Sequence, residues 1–210
     1  MLNAIVLLSG GIDSTVTLSL SKKTFNPLAL TFDYGQRHGV EINSAVEITQ
    51  RMFVQHRVIK LDFRQIGGSA LTEDIDVPKN SLKPGIPITY VPARNTIFLS
   101  YALALGEKLG INDIFIGVNA IDYSGYPDCR PEYINAFESM ANLGTKSGGF
   151  KIHTPIINMT KADIIRKALE LGINIDATHS CYDPQKNGTP CGECDSCIIR
   201  NSALKEAGCL

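Results

Sequence analysis

Ala4-Ile5-Val6-Leu7-Leu8 is an unbroken apolar run of strand length that ends directly in Ser9-Gly10-Gly11. A strand with no polar residue on either face has to be covered on both sides, as a central strand of a parallel sheet is. Two glycines at its end give a tight turn, and Thr15 to Lys23 can continue as a helix. The chain therefore starts with the first strand–helix unit of an α/β domain, a fold whose ligands bind outside the carboxyl ends of the strands.

The alternation continues along the chain. Leu28-Ala29-Leu30-Thr31-Phe32 is a second apolar run that ends at Asp33-Tyr34-Gly35. Ile42, Ala45, Val46, Thr49, Met52 and Phe53 then recur at helical spacing, and a third strand is expected around Arg57 to Leu61. Farther on, a helix from Thr96 to Leu109 places Ile97, Tyr101, Ala102 and Leu105 on one face, before a strand at Asp113-Ile114-Phe115-Ile116-Gly117. Pro131 opens a helix that runs to Leu143, since its fixed φ suits the first turn. Thr160 can cap one more helix, with Asp163 completing a capping box and Gly172 as the stop. The pattern predicts an open, mostly parallel sheet with helices on both faces. Between Gly67 and Pro92 periodicity disappears and four prolines interrupt the chain, so this stretch is expected to be either disordered or a lid.

At 210 residues the chain has the length of one ordinary domain, which buries roughly 70% of its unfolded surface. Twenty basic against 21 acidic residues give a net charge of −1, which argues against nucleic-acid binding by charge. The first eight residues are too short for a membrane span and lack the basic start of a signal peptide, so a cytoplasmic location is expected.

Ser9-Gly10-Gly11-Ile12-Asp13-Ser14 sits where a phosphate site belongs. Glycines let backbone N–H groups approach an anion, and the following helix adds its positive N-terminal end. Ser9, Ser14 and Thr15 carry hydroxyl donors, and Asp13 suits either magnesium or bracing of the loop. The Gly-Lys-Ser/Thr of a Walker loop occurs nowhere, nor does a Gly-x-Gly triplet. A bare strand-to-helix turn is the alternative, and the full hexapeptide makes it the weaker one.

Cys191-x-x-Cys194-x-x-Cys197, with Cys181 ten residues upstream, brings four thiolates within reach of one ion. Zinc takes four cysteine sulfurs tetrahedrally, and a closed set of this kind is structural. An iron–sulfur cluster is the competing reading, but the Cys-Pro that follows in ferredoxin motifs is missing. The segment 176–210 is expected to be a small zinc-binding piece packed on the α/β domain spanning 1–175, which carries the phosphate loop.

Three polar clusters should share the sheet edge of the glycine loop: Tyr34 to His38, Val91 to Asn95, and Asp122 to Arg130. Arg37, Arg94 and Arg130 can grip phosphate or carboxylate through forked hydrogen bonds, and Tyr123 or Tyr126 can stack on a flat ring. Lys161 can reach phosphate, although a first-turn lysine is ordinarily solvated. The four histidines form no spaced pair and none is assigned as a base.

The hexapeptide at Ser9 to Ser14 resembles the signature of the ATP pyrophosphatase superfamily, whose members hold the β and γ phosphates as the leaving group. Together with Tyr34 to His38, Val91 to Asn95, Asp122 to Arg130 and Ser180-Cys181-Tyr182 ahead of the cysteine triplet, the chain is similar to the 7-cyano-7-deazaguanine synthase family of the queuosine pathway. The resemblance implies an adenine nucleotide alpha hydrolase-like fold and a cytoplasmic homodimer. It also implies a carbon–nitrogen ligase that adenylates 7-carboxy-7-deazaguanine, adds ammonia, and adenylates the amide to release a nitrile. ATP and Mg2+ would then be held by Leu8, Ser9, Gly10, Gly11, Ile12, Asp13, Ser14, Thr15 and Val16. Substrate would be met by Gln36, Arg37, Arg94, Asp122, Tyr123, Ser124, Asp128 and Arg130, with Asp13, Arg94, Asp122 and Arg130 acting in catalysis. One structural Zn2+ per chain would sit on Cys181, Cys191, Cys194 and Cys197. A tRNA-thiolating member of the same superfamily is the alternative, and the near-neutral charge speaks against it.

Overall fold

The computed structural model of the chain describes residues 2–81, 85–120 and 126–209. Among them, five strands form one parallel sheet: β1 (Leu2–Leu7), β2 (Phe25–Asp33), β3 (Gln55–Lys60), β4 (Asp113–Phe115) and β5 (Lys151–His153). Their spatial order is β3-β2-β1-β4-β5. The chain thus leaves β1 toward one edge and later returns to its other side, which opens a crevice at the carboxyl ends of β1 and β4.

Alternate side chains of β1 enter two cores. Ile5 and Leu7 pack with Leu30, Phe32 and Ile114 against α3 (Arg94–Leu109) and α4 (Pro131–Gly144), through Leu99, Leu103, Ile134 and Phe137. Ala4, Val6 and Leu8 face the other way, against Leu18 of α1 (Ile12–Ser21) and Ala45 and Ile48 of α2 (Val40–Met52). A third cluster joins α1 to α5 (Lys161–Glu170) and α6 (Asp195–Glu206), built on Val16, Ile164, Ile165 and Ala203. Burying a side chain such as Ile5 or Ile164 contributes about 1.5–3 kcal/mol. The expected sheet with helices on both faces is present, and the described strands are all parallel.

The capping box of α5 is present: Thr160 accepts from the Asp163 N–H at 3.1 Å and donates its own N–H to the Asp163 carboxylate at 3.2 Å. Two helix faces differ from expectation. Phe53 is 95% exposed, because α2 stops at Met52 and Phe53 takes a left-handed conformation (φ 54°) as its cap. Tyr101 is 41% exposed; α3 instead buries Asn95, Leu99, Ala102, Leu103 and Gly106. Gly106 sets that rotation, since a Cβ there would stand 2.5 Å from the Ile111 carbonyl.

β5 and α6 carry no clear signal in the sequence pattern. β5 is three residues long with polar ends, and α6 begins inside the cysteine spacing, which masks its apolar positions. The segment that follows residue 175, expected as a small zinc-binding piece, holds a full helix packed on α5. The described residues between Gly67 and Pro92 are packed too: Ser69, Ala70, Leu71, Thr72, Val77, Thr89 and Val91 are buried.

Candidate active site and metal centre

Ser9-Gly10-Gly11 turns the chain from β1 into α1. Gly10 has φ +89°, and a Cβ on it would lie 2.3 Å from the carbonyl of Glu41 in the first turn of α2. The position requires glycine on both counts. Gly117 closes the other side, since a Cβ there would meet Asp13 and Ser14 at 2.9 Å. Within the loop, Ser14 Oγ accepts from the Ser9 N–H at 3.1 Å and donates to the Gly11 carbonyl at 3.0 Å. Gly11 caps α1 without a side-chain acceptor, so the first-turn N–H groups remain open to an anion.

Lys161, at the start of α5, donates to both oxygens of Asp13 at 2.8 and 2.7 Å, with the two side chains 20% and 26% exposed. Lys161, for which the sequence left phosphate contact and an ordinary solvated position both open, thus stands at the loop. Arg200 of α6 approaches from the C-terminal segment, held by Thr178 Oγ1 at 2.9 Å and the Ile175 carbonyl at 2.8 Å. Both cations line the same cleft as Ser9, Gly11, Asp13 and Ser14.

That cleft has a volume of about 290 Å³. Its other end is aromatic: Phe32, Tyr34, Phe98, Tyr126 and Tyr182, with Arg94 and Glu41 among them. Phe32 and Phe98 stack at 4.1 Å, and the Tyr126 hydroxyl lies 3.3 Å from that of Tyr182. The guanidinium of Arg94 stands 6.0 Å over the Tyr126 ring. Burial opposes its charge, but Tyr34, Tyr126 and Asp128 outweigh that and raise its pKa above the ordinary arginine value. Among the described residues no carboxylate forms an ion pair with Arg94. Burial pushes the Tyr34 phenol up to about 12 and the Glu41 carboxyl up to about 7, the latter against the pull of Arg94.

Arg94 follows Ala93, which adopts a left-handed conformation (φ 52°) rare for a residue with a Cβ. Asp128 is buried and accepts the Asn95 N–H at 3.1 Å, which clamps the start of α3 rather than facing the cleft.

The structure thus gathers Leu8, Ser9, Gly11, Ile12, Asp13, Ser14, Gln36 and Arg94 around one cleft. Gln36 is engaged with the backbone, accepting the Tyr34 N–H at 2.8 Å. Gly10 acts behind the loop through its close approach to α2. Thr15 and Val16 do not line the cleft; the Thr15 hydroxyl is spent on the Gly11 carbonyl at 2.8 Å. Arg37 turns away to the Ile75 carbonyl at 2.5 Å, and Arg130 is exposed as the cap of α4. Asp122, Tyr123 and Ser124 lie outside the described residues.

Glu41, Ser180 and Arg200 were missing from the expected set. Glu41 is legible in retrospect as a first-turn residue of the helix after β2, a position that topology puts at the sheet's carboxyl edge. Arg200, three residues past Cys197, becomes legible once α6 is known to continue from the cysteines.

Cys181, Cys191, Cys194 and Cys197 place their sulfurs within 4.8 Å of one another. Tetrahedral binding at the zinc–sulfur length sets sulfurs about 3.8 Å apart, and Cys181 and Cys194 are separated by 4.0 Å. The N–H groups of Cys191 and Asp183 donate to Cys181 Sγ at 3.2 and 3.4 Å, as suits a thiolate. The donor set fits a metal ion. This module is joined to the cleft directly, because the His179 N–H donates to the Gly10 carbonyl at 2.9 Å. It also holds the preceding long loop: Asn80 donates to the Glu193 carbonyl at 2.8 Å, and Lys79 pairs with Asp183 at 2.6 Å.

Residues 3–208 match the family model of the queuosine biosynthesis protein QueC. The chain is 58% identical to the 7-cyano-7-deazaguanine synthase of Geobacter metallireducens, over 98% of this chain and 90% of that protein. It is 55% identical to the synthase of the same name from Myxococcus xanthus, over 98% and 94%. Two more distant solved structures share the fold. One is a predicted subunit of tRNA methyltransferase from Methanocaldococcus jannaschii, at 21% identity and TM-score 0.54 over 99% of this chain and 90% of that one. The other is NMN synthetase from Francisella tularensis, at 16% identity and TM-score 0.53 over 98% and 76%.

Proposed function

The chain belongs to the QueC family of queuosine biosynthesis proteins, and from that premise we propose that it is an ATP-dependent ligase converting 7-carboxy-7-deazaguanine and ammonia into 7-cyano-7-deazaguanine. The observation that carries this reading is the union of two chemistries in one cleft, a glycine loop with two cations at one end and an arginine among aromatic rings at the other.

A carboxylate is a poor electrophile, so the nitrogen cannot displace its oxygen directly. On this reading the loop N–H groups, Lys161 and Arg200 hold the terminal phosphates of ATP, and Arg94 holds the substrate carboxylate within reach of the α-phosphorus. Attack there breaks the bond to pyrophosphate and leaves an acyl-adenylate. Ammonia adds to its carbon and AMP departs, giving an amide. A second adenylation at the amide oxygen lets elimination of AMP form the nitrile. The chain contributes position and fixed charge, with no covalent nucleophile. Tyr126 and Phe98 offer faces for a flat bicyclic ring.

Asp13, beside Ser14 and Lys161, would be the carboxylate that holds magnesium, which would neutralise phosphate charge during adenylation. The four cysteines would hold one structural zinc, and metal analysis of the purified protein should return one zinc per chain without labile sulfide. The same proposal takes the enzyme to be a cytoplasmic homodimer, with a solution mass twice the 22.8 kDa of the chain. Incubation with ATP, Mg2+, ammonium and 7-carboxy-7-deazaguanine tests the function: nitrile, AMP and pyrophosphate are expected, and failure to form nitrile contradicts it.

A further inference from the structure

The proposed reaction strips the nitrogen of every proton it carries between ammonium and nitrile, so a proton acceptor has to stand where the nitrogen enters. A small chamber of about 20 Å³ adjoins the main cleft and shares Tyr34, Gln36, Glu41 and Tyr182 with it. That volume accommodates one molecule of the size of water or ammonia. His38 also lines the chamber, and its Nε2 is buried without a hydrogen-bond partner; the Asp183 carboxylate is 3.7 Å away, beyond hydrogen-bond length. The Glu41 carboxyl stands at the junction of the two spaces, with no side-chain hydrogen bond or ion pair among the described residues. The other acidic side chains of the cleft are placed differently: Asp13 is held by Lys161, and Asp195 follows the metal ligand Cys194.

Resting on the ligase reading above, we infer that the chamber seats the nitrogen donor and that Glu41 is the catalytic base that removes its protons. In amide formation, Glu41 first takes one proton from ammonium; the freed nitrogen lone pair then makes the C–N bond, the bond from the acyl carbon to the adenylate oxygen breaks with its electrons leaving on AMP, and a second N–H proton passes to Glu41. After the amide oxygen has displaced pyrophosphate from a second ATP, Glu41 takes the remaining nitrogen protons as the C–O bond to AMP breaks and the C≡N bond forms. Each proton is released to water between steps. Tyr34, Tyr182, Arg94, Arg37, His38 and the metal-ligand candidate Cys181 are the titratable and charged groups facing this region. Burial lifts the Glu41 carboxyl to about 7, which matches a group that accepts and returns protons near neutrality.

The test separates two half-reactions in Glu41→Gln. Carboxylate-dependent exchange of labelled pyrophosphate into ATP, run without ammonium, should stay within about threefold of wild type, whereas amide formation from ammonium chloride should fall by about 10²-fold or more. Hydroxylamine, largely unprotonated at neutral pH, should restore acyl transfer in the variant far better than ammonium does. At fixed free ammonia, wild-type amide formation should decline as pH falls through about 7 while Glu41→Gln lacks that limb. Equal loss of exchange and amide formation in the variant, or undiminished use of ammonium, would overturn the assignment. Absence of exchange in the wild-type enzyme would instead strike the ligase reading itself.

Discussion

The two ends of the cleft are built in opposite ways. The phosphate end is built on a local object: Ser9 to Ser14 are contiguous, their hydrogen bonds close within the loop, and glycine accommodates its backbone demands, while only the cations Lys161 and Arg200 come from elsewhere. The aromatic end is assembled from distant segments, with Tyr34, Glu41, Arg94, Tyr126 and Tyr182 brought together only by the parallel topology. Backbone N–H groups that recognise phosphate can be encoded in one short motif. A pocket for a particular carboxylate needs side chains from several strand ends.

Substituting on each side should break the two functions apart. Arg94→Ala should lower kcat/KM for the carboxylate by about 10³-fold, as loss of a buried charge partner does. ATP affinity, measured by calorimetry, should change by less than about twofold; parallel loss of both would make the two ends one site. Lys161→Ala should lower the adenylation rate by about 10²-fold, the usual cost of removing one donor to developing phosphate charge. Single-turnover release of pyrophosphate reads this directly, and an unchanged rate would reduce Lys161 to a brace for Asp13.

The same contrast explains what was legible in the sequence. β1, the loop, the capped α5 and the cysteine spacing are encoded locally, so apolar runs, Gly-Gly, Thr160 with Asp163 and Cys-x-x-Cys declare them. The rotation of α3 is not local; Gly106 turns to Phe150 and to Ile5 of β1, whose side-chain atoms lie 3.1 and 3.6 Å from where its Cβ would stand, and Tyr101 faces outward. Arg130 and Arg37 carry the right chemistry but are used elsewhere, one as an exposed cap and one in a backbone bond. Glu41 and Arg200 came to light only when their helices were placed, whereas Lys161 was already a phosphate candidate in the sequence.

The smallest effect concerns strain. Gly10 absorbs a φ of +89° at the phosphate end, whereas Ala93 carries φ 52° just before Arg94. Ala93→Gly should stabilise the fold by about 1 kcal/mol and raise Tm by about 2–4 °C in a chain of this length. A lower Tm in thermal denaturation would show that the Ala93 methyl contributes more packing than its backbone costs.

The most direct test of adenylation follows an oxygen isotope placed in the substrate carboxylate. Attack on the α-phosphorus carries that oxygen into AMP, so mass spectrometry should find the label in the AMP phosphate. Label in inorganic phosphate instead would mean transfer of the γ-phosphoryl group, and would contradict the account of the glycine loop as a grip on departing pyrophosphate.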